Sequence, residues 1–137
     1  MNKLTVETTV NSPIKKVWEC WTMPEHITQW AFATNDWEAP SAENDVRVGG
    51  KFKTSMSAKD KSAAFDFKGV YTAVEEFSNI EYDMEDGRHV SITFTETPTG
   101  VKIIEIFDPE SENPEDAQIA GWQAFLNNFK KHTEQSK

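Results

Sequence analysis

From residue 51 to residue 107 the chain runs in short stretches of alternating apolar and polar residues, each ending in a compact turn signal. The signals are Asp60-Lys61-Ser62, Ser78-Asn79, Asp86-Gly87 and Pro98-Thr99-Gly100. Turns of that size join antiparallel neighbours, because a parallel pair needs a crossover of about a dozen residues or more. Residues 51–56 put Phe52, Thr54 and Met56 on one face. A longer strand is predicted over 65–77, and residues 80–84 alternate so strictly that one face is apolar and the other acidic. Residues 89–97 group Val90, Ile92 and Phe94, and residues 101–107 close the meander. A sheet that is apolar on one face must be covered.

The C-terminal segment supplies the cover. Asn113 is placed to cap a helix, Pro114 to begin it, and Glu115 and Asp116 to fill its first turn, where the helix dipole favours negative charge. Ile119, Trp122, Leu126 and Phe129 fall on one side with Phe125 beside them, and Lys130, Lys131 and His132 end the element. Its length is about 20 residues, or roughly 30 Å.

At the other end, residues 3–10 read as a half-buried strand. Ser12 is predicted as N-cap and Pro13 as first residue of a helix whose apolar stripe is Ile14, Val17, Trp18 and Trp21. Thr22-Met23-Pro24-Glu25 has the form of a capping box and opens a second short helix that buries Ile27 and Trp30. Residues 31–48 contain Pro40 and show no period, so they read as a long loop with room for one short strand. Gly49-Gly50 then bends the chain into the meander. The prediction is one α+β domain over residues 1–137, with about six strands in a curved antiparallel sheet, two short helices after the first strand, and one long C-terminal helix.

Charge and cysteine content narrow the function. A net charge of −9 repels phosphate backbones and anionic lipid surfaces, which argues against nucleic-acid partners. Cys20 is the only cysteine, so an intrachain disulfide is impossible and a reducing compartment is expected. No apolar run is long enough for a signal peptide or a membrane span, and the expected location is the cytoplasm.

Three stretches carry a resemblance. They are Pro13-Ile14-Lys15-Lys16-Val17-Trp18 through Trp21-Thr22-Met23-Pro24-Glu25-His26 to Trp30, then Asp45-Val46-Arg47-Val48-Gly49-Gly50-Lys51-Phe52, then Gly121-Trp122-Gln123-Ala124-Phe125-Leu126-Asn127-Asn128-Phe129. In this order and spacing they resemble the family named after the activator of the heat-shock protein 90 ATPase, within the START-like (SRPBCC) superfamily. The resemblance covers about residues 4–133, with residues 31–44 departing from the commoner family versions. It implies a helix-grip fold, in which the curved sheet wraps the C-terminal helix around a cavity for lipids, polyketides, flavonoids or other hydrophobic molecules. The co-chaperone itself carries an additional N-terminal chaperone-binding domain, for which 137 residues leave no space.

Few residues read as catalytic or metal-binding. His26, His89 and His132 lie on different elements without metal-ligand spacing, and no second cysteine completes a zinc pattern. The acidic run 108–112 lacks the glycine and spacing of a calcium loop. Cys20 has no activating base nearby in sequence and reads as inert. No catalytic residue, metal or cofactor is assigned. The expected function is binding of a hydrophobic small molecule, with Trp30, Phe52, Thr54, Met56 and Tyr82 among the lining residues. Met84, Phe94, Trp122, Phe125 and Phe129 complete that set. Each is also a good core residue. Two alternatives stay open: a cyclase- or hydrolase-type enzyme drawing on Tyr71, Tyr82, Asp66 or His89, and a module acting on a chaperone. Gly121 is expected to allow close approach of another segment.

Overall fold

The alternating stretches become strands, and the structure, a computed structural model, describes residues 3–136. In chain order they are β1 (Leu4–Val10), α1 (Ile14–Thr22), α2 (Pro24–Trp30), β2 (Trp37–Asn44), β3 (Lys51–Ala58) and β4 (Ala64–Glu75). There follow β5 (Asn79–Met84), β6 (His89–Thr97), β7 (Gly100–Phe107) and α3 (Glu115–Gln135). All seven strands form one antiparallel sheet in the order β1-β7-β6-β5-β4-β3-β2. β1 and β2 are its two edges, and α1 and α2 lie on the connection between them. Register shifts at Glu38/Ser41 in β2 and at Tyr71/Ala73 in β4 add local twist, which curls the sheet around α3.

The helix-grip expectation holds, with one strand more than predicted. β2 lies inside the stretch 31–48, read as a long loop with room for one short strand. Its alternation is broken at Pro40, which sits at the bulge, where a residue without an N–H does least harm to a ladder. The strand 65–77 ends earlier than expected, at Glu75, and Phe77 turns the chain with a φ of 68°.

The predicted caps all shift. Pro13 and Pro114 are themselves the capping residues, with extended ψ values of 152° and 146°, so Ser12 and Asn113 lie one residue outside. Thr22 makes no capping box: its hydroxyl turns back to donate to the Trp18 carbonyl at 2.7 Å, and Met23 caps α2.

The core lies between the concave sheet face and the helices. It includes Val6 and Val10 on β1, Val17 on α1, Ile80 and Ile92 on the central strands, and Phe107, Leu126 and Phe129. Beneath α1 and α2, Trp18, Trp21, Trp30, Phe94 and Phe129 form an aromatic plug, with edge-on pairs such as Trp21–Phe129 at 4.8 Å and Trp30–Phe129 at 5.0 Å. No described helix is long and apolar enough to cross a membrane.

Candidate functional site

α3 packs along β1 and against α1 and α2, and it stands away from the other half of the sheet. The gap it leaves over β3, β4 and β5 is a cavity of about 380 Å³. That is within the size range of small-molecule sites. From β3 it is lined by Phe52, Thr54 and Met56, and from β4 by Phe65, Phe67 and Tyr71. β5 gives Ile80, Tyr82 and Met84, while α3 gives Gly121, Trp122, Phe125 and Leu126. Trp21 and Trp30 close one end as the inner surface of the aromatic plug. Phe65, 51% exposed, stands at the rim beside Trp37.

Gly121 behaves differently from the sequence expectation. Nothing lies within 4 Å of where its Cβ would be, so it admits no neighbouring segment and widens the cavity instead. Gly121→Ala is therefore expected to stabilise the protein by about 1 kcal/mol through helix propensity alone. Urea unfolding of the two forms measures this, and a loss of stability would reveal a close contact at that position.

Eight of the ten residues expected at the site border the cavity: Trp30, Phe52, Thr54, Met56, Tyr82, Met84, Trp122 and Phe125. Phe94 and Phe129 do not. Both are consumed by the plug, Phe94 against Trp18 and Trp21, and Phe129 against Trp21 and Trp30. Of the candidate acid–base residues, Tyr71 and Tyr82 point inward. Asp66 and His89 lie on the outer face: Asp66 accepts from the Ser55 hydroxyl at 2.8 Å, and His89 is held between Asp83 and Glu81 at 2.7 and 2.9 Å.

The most unusual wall residue was not foreseen. Glu105 on β7 is 5% exposed, lines the cavity, and lies in register between Val6 on β1 and Ile92 on β6. Both neighbours are buried aliphatics, and no hydrogen bond or opposite charge offsets the loss of water. Burial alone pushes the Glu105 carboxyl up to about 8. The inward set Val101, Ile103, Glu105, Phe107 was readable from the alternation, and the lone carboxylate on the apolar side was the signal.

Tyr82 is a second inward polar group that makes no hydrogen bond to another residue. Its phenol is pushed well up by burial, and further by the proximity of Glu105 and Tyr71. Tyr71 is anchored differently. Its hydroxyl donates to Asn44 Oδ1, while Asn44 Nδ2 donates to the Thr22 carbonyl at 2.7 Å, so this pair ties β4 and β2 to the end of α1. Gln118 is likewise saturated, with Nε2 donating to the Glu110 and Asn113 carbonyls. The cavity is thus a largely apolar space, with Glu105, Tyr82 and Thr54 among the polar groups on its wall.

Comparison with known proteins places this architecture. The family model described as "Activator of Hsp90 ATPase homolog 1-like protein" matches residues 11–134. The solution structure of an AHSA1-like protein from Aeromonas hydrophila superposes with a TM-score of 0.92 at 39% identity, covering 97% of this chain and 92% of that one. Chr148 from Cytophaga hutchinsonii is 51% identical with a TM-score of 0.84, covering 98% of this chain and 93% of its own. Protein NE0264 from Nitrosomonas europaea, at 18% identity and a TM-score of 0.85 over 98% and 96% of the two chains, shares the fold. No curated protein matches the chain. On the evidence of a match spanning nearly its whole length, the chain belongs to the Activator of Hsp90 ATPase homolog 1-like family.

Proposed function

We propose that the protein binds a lipid-, polyketide- or flavonoid-like molecule in the cavity beneath α3, with Glu105 and Tyr82 orienting the ligand's polar group. The observation that carries this reading is the cavity of about 380 Å³, walled by aromatic and aliphatic side chains. Affinity would come from apolar area removed from water, at roughly 25 cal/mol per Å² before the ordering costs of binding. A protonated Glu105 can donate one hydrogen bond as well as accept, so it suits a ligand carrying a carbonyl or hydroxyl. A cytoplasmic location belongs to the same proposal and rests on the lone cysteine and the absence of a long apolar run.

The test is a titration of fatty acids, flavonoids and polycyclic aromatic polyketides, followed by the fluorescence of Trp21, Trp30 and Trp122 at the cavity wall. A saturable change is expected with at least one class. Gly121→Leu fills the cavity from α3, so it should lower affinity at least tenfold or so while the protein stays folded. No saturable binding by any class, or unchanged affinity in that variant, would defeat the proposal.

Glu105 also favours a second reading, an acid–base enzyme of the cyclase or hydrolase type acting in the same space. A carboxyl that titrates near neutrality can give and take protons at working pH. Mass analysis of a bound ligand after incubation separates the two. Unaltered ligand supports a binder; a product that disappears with Glu105→Gln supports the enzyme.

A further inference from the structure

The second cluster of chemically able side chains lies outside the cavity, where α1, α2 and α3 meet. Cys20 of α1 is 1% exposed. Its Sγ lies 3.8 Å from His26 Nδ1 on α2, and His26 Nδ1 lies 2.9 Å from His132 Nε2 on α3. The three donor atoms all fall within 4.8 Å of one another. The geometry points to a cation site built from Cys20, His26 and His132, and we propose that it takes a zinc-class ion.

Zinc binds thiolate at about 2.3 Å and imidazole at about 2.0–2.1 Å, so donors around one tetrahedral ion sit roughly 3.3–3.6 Å apart. To reach that spacing the two histidine nitrogens must part by about half an ångström, and the Cys20 thiol must close on them from 3.8 Å at His26 and from within 4.8 Å at His132. One thiolate with two imidazoles is a soft-to-borderline set. It selects zinc or copper(I) over magnesium and calcium, which require oxygen donors. Three protein ligands leave a fourth zinc position to solvent on the side of the half-buried histidine rings.

The surroundings hold the donors in place. The Trp30 indole donates to the Cys20 carbonyl at 2.9 Å, which fixes the turn from α1 to α2. The Thr133 hydroxyl is wholly buried and makes no hydrogen bond of full geometry, yet lies near enough to the Cys20 thiol to favour its anion. Burial keeps the free thiol protonated, so uptake of the ion breaks the S–H bond, forms a metal–sulfur bond and releases the proton to solvent. Lys16, whose ammonium donates to the Ser136 carbonyl, opposes a cation here, and Glu19 favours one. His89 offers no rival centre, because Asp83 and Glu81 bond opposite nitrogens of its ring.

The experiment uses the reduced, chelator-treated protein, titrated with Co²⁺ and then with Zn²⁺. One equivalent of Co²⁺ should produce tetrahedral visible bands with a thiolate-to-cobalt charge-transfer band, and Zn²⁺ should bleach both. Cys20→Ala should abolish the charge-transfer band. His26→Gln, at a half-buried ring outside the core, should weaken Zn²⁺ binding by about tenfold or more, with His89→Gln unchanged. Circular dichroism confirms that each variant is folded. Absence of saturable binding, or binding indifferent to both Cys20→Ala and His26→Gln, would overturn the site and leave a His–His hydrogen bond between helices.

Discussion

Replacing Glu105 by glutamine is expected to stabilise the protein at about pH 9 while changing little near pH 5. The sign follows from the carboxyl's position. Its ordinary value of 4.5 rises to about 8 in the folded state, so between those values the folded chain holds a proton that the unfolded chain has released. Stability therefore falls as pH rises through this window. Below it both states are protonated and the group is neutral to folding; above it the folded state carries a buried carboxylate between Val6 and Ile92. The full effect is on the order of 4 kcal/mol, removed by a glutamine of the same shape. His89, paired with Asp83 and Glu81, also has its pKa raised, so its contribution is present at low pH and is lost as pH rises. For that reason the informative quantity is the difference between the two proteins in urea unfolding from about pH 5 to 9, not the slope of either. Parallel profiles would mean that Glu105 reaches solvent.

The second large effect is expected at Trp30. Its ring is the shared partner of Trp21 and Phe129, at 5.1 and 5.0 Å, and its indole N–H satisfies a carbonyl in the last turn of α1. Trp30→Ala removes both, so the loss should be about 3–5 kcal/mol, with the melting temperature falling by roughly ten degrees or more. Trp30→Phe keeps the edge-on packing and forfeits only the hydrogen bond, and should recover most of the loss. A deficit below about 1 kcal/mol for the alanine variant would mean the plug closes over the gap. Because Trp30 also borders the cavity, any ligand affinity must be compared at equal folded fraction.

How much was legible in the sequence depended on whether the signal was local. Strict alternation in β5 and β6 and the one-sided stripe of α3 identify themselves, since each element's neighbours in sequence reveal its buried face. β2 was hidden because an edge strand with a bulge at Pro40 has neither a steady alternation nor a fully apolar face. At the site, the residues on β3 and β5 follow directly from strand parity. Phe94 satisfied the same parity and Phe129 the apolar stripe of α3, yet their space was taken by tryptophans from α1 and α2, which only the tertiary arrangement decides. The meeting of Cys20 and His26 with His132 is less legible still. Three helices supply one donor each, and no spacing along the chain encodes their crossing.

The pairing of β1 with β7 has a consequence for how the protein is made. Strands β3 to β7 each have a partner that is their immediate successor or predecessor, so they can zip up as hairpins while the ribosome is still working. β1 cannot. Leu4 faces Phe107 and Val10 faces Val101, so the earliest strand to emerge waits for the latest one. Until then its apolar residues are an unprotected edge, open to pairing with another nascent chain. Of the pairings in this sheet, the closing of that edge spans the greatest sequence separation and so carries the largest loop-closure cost.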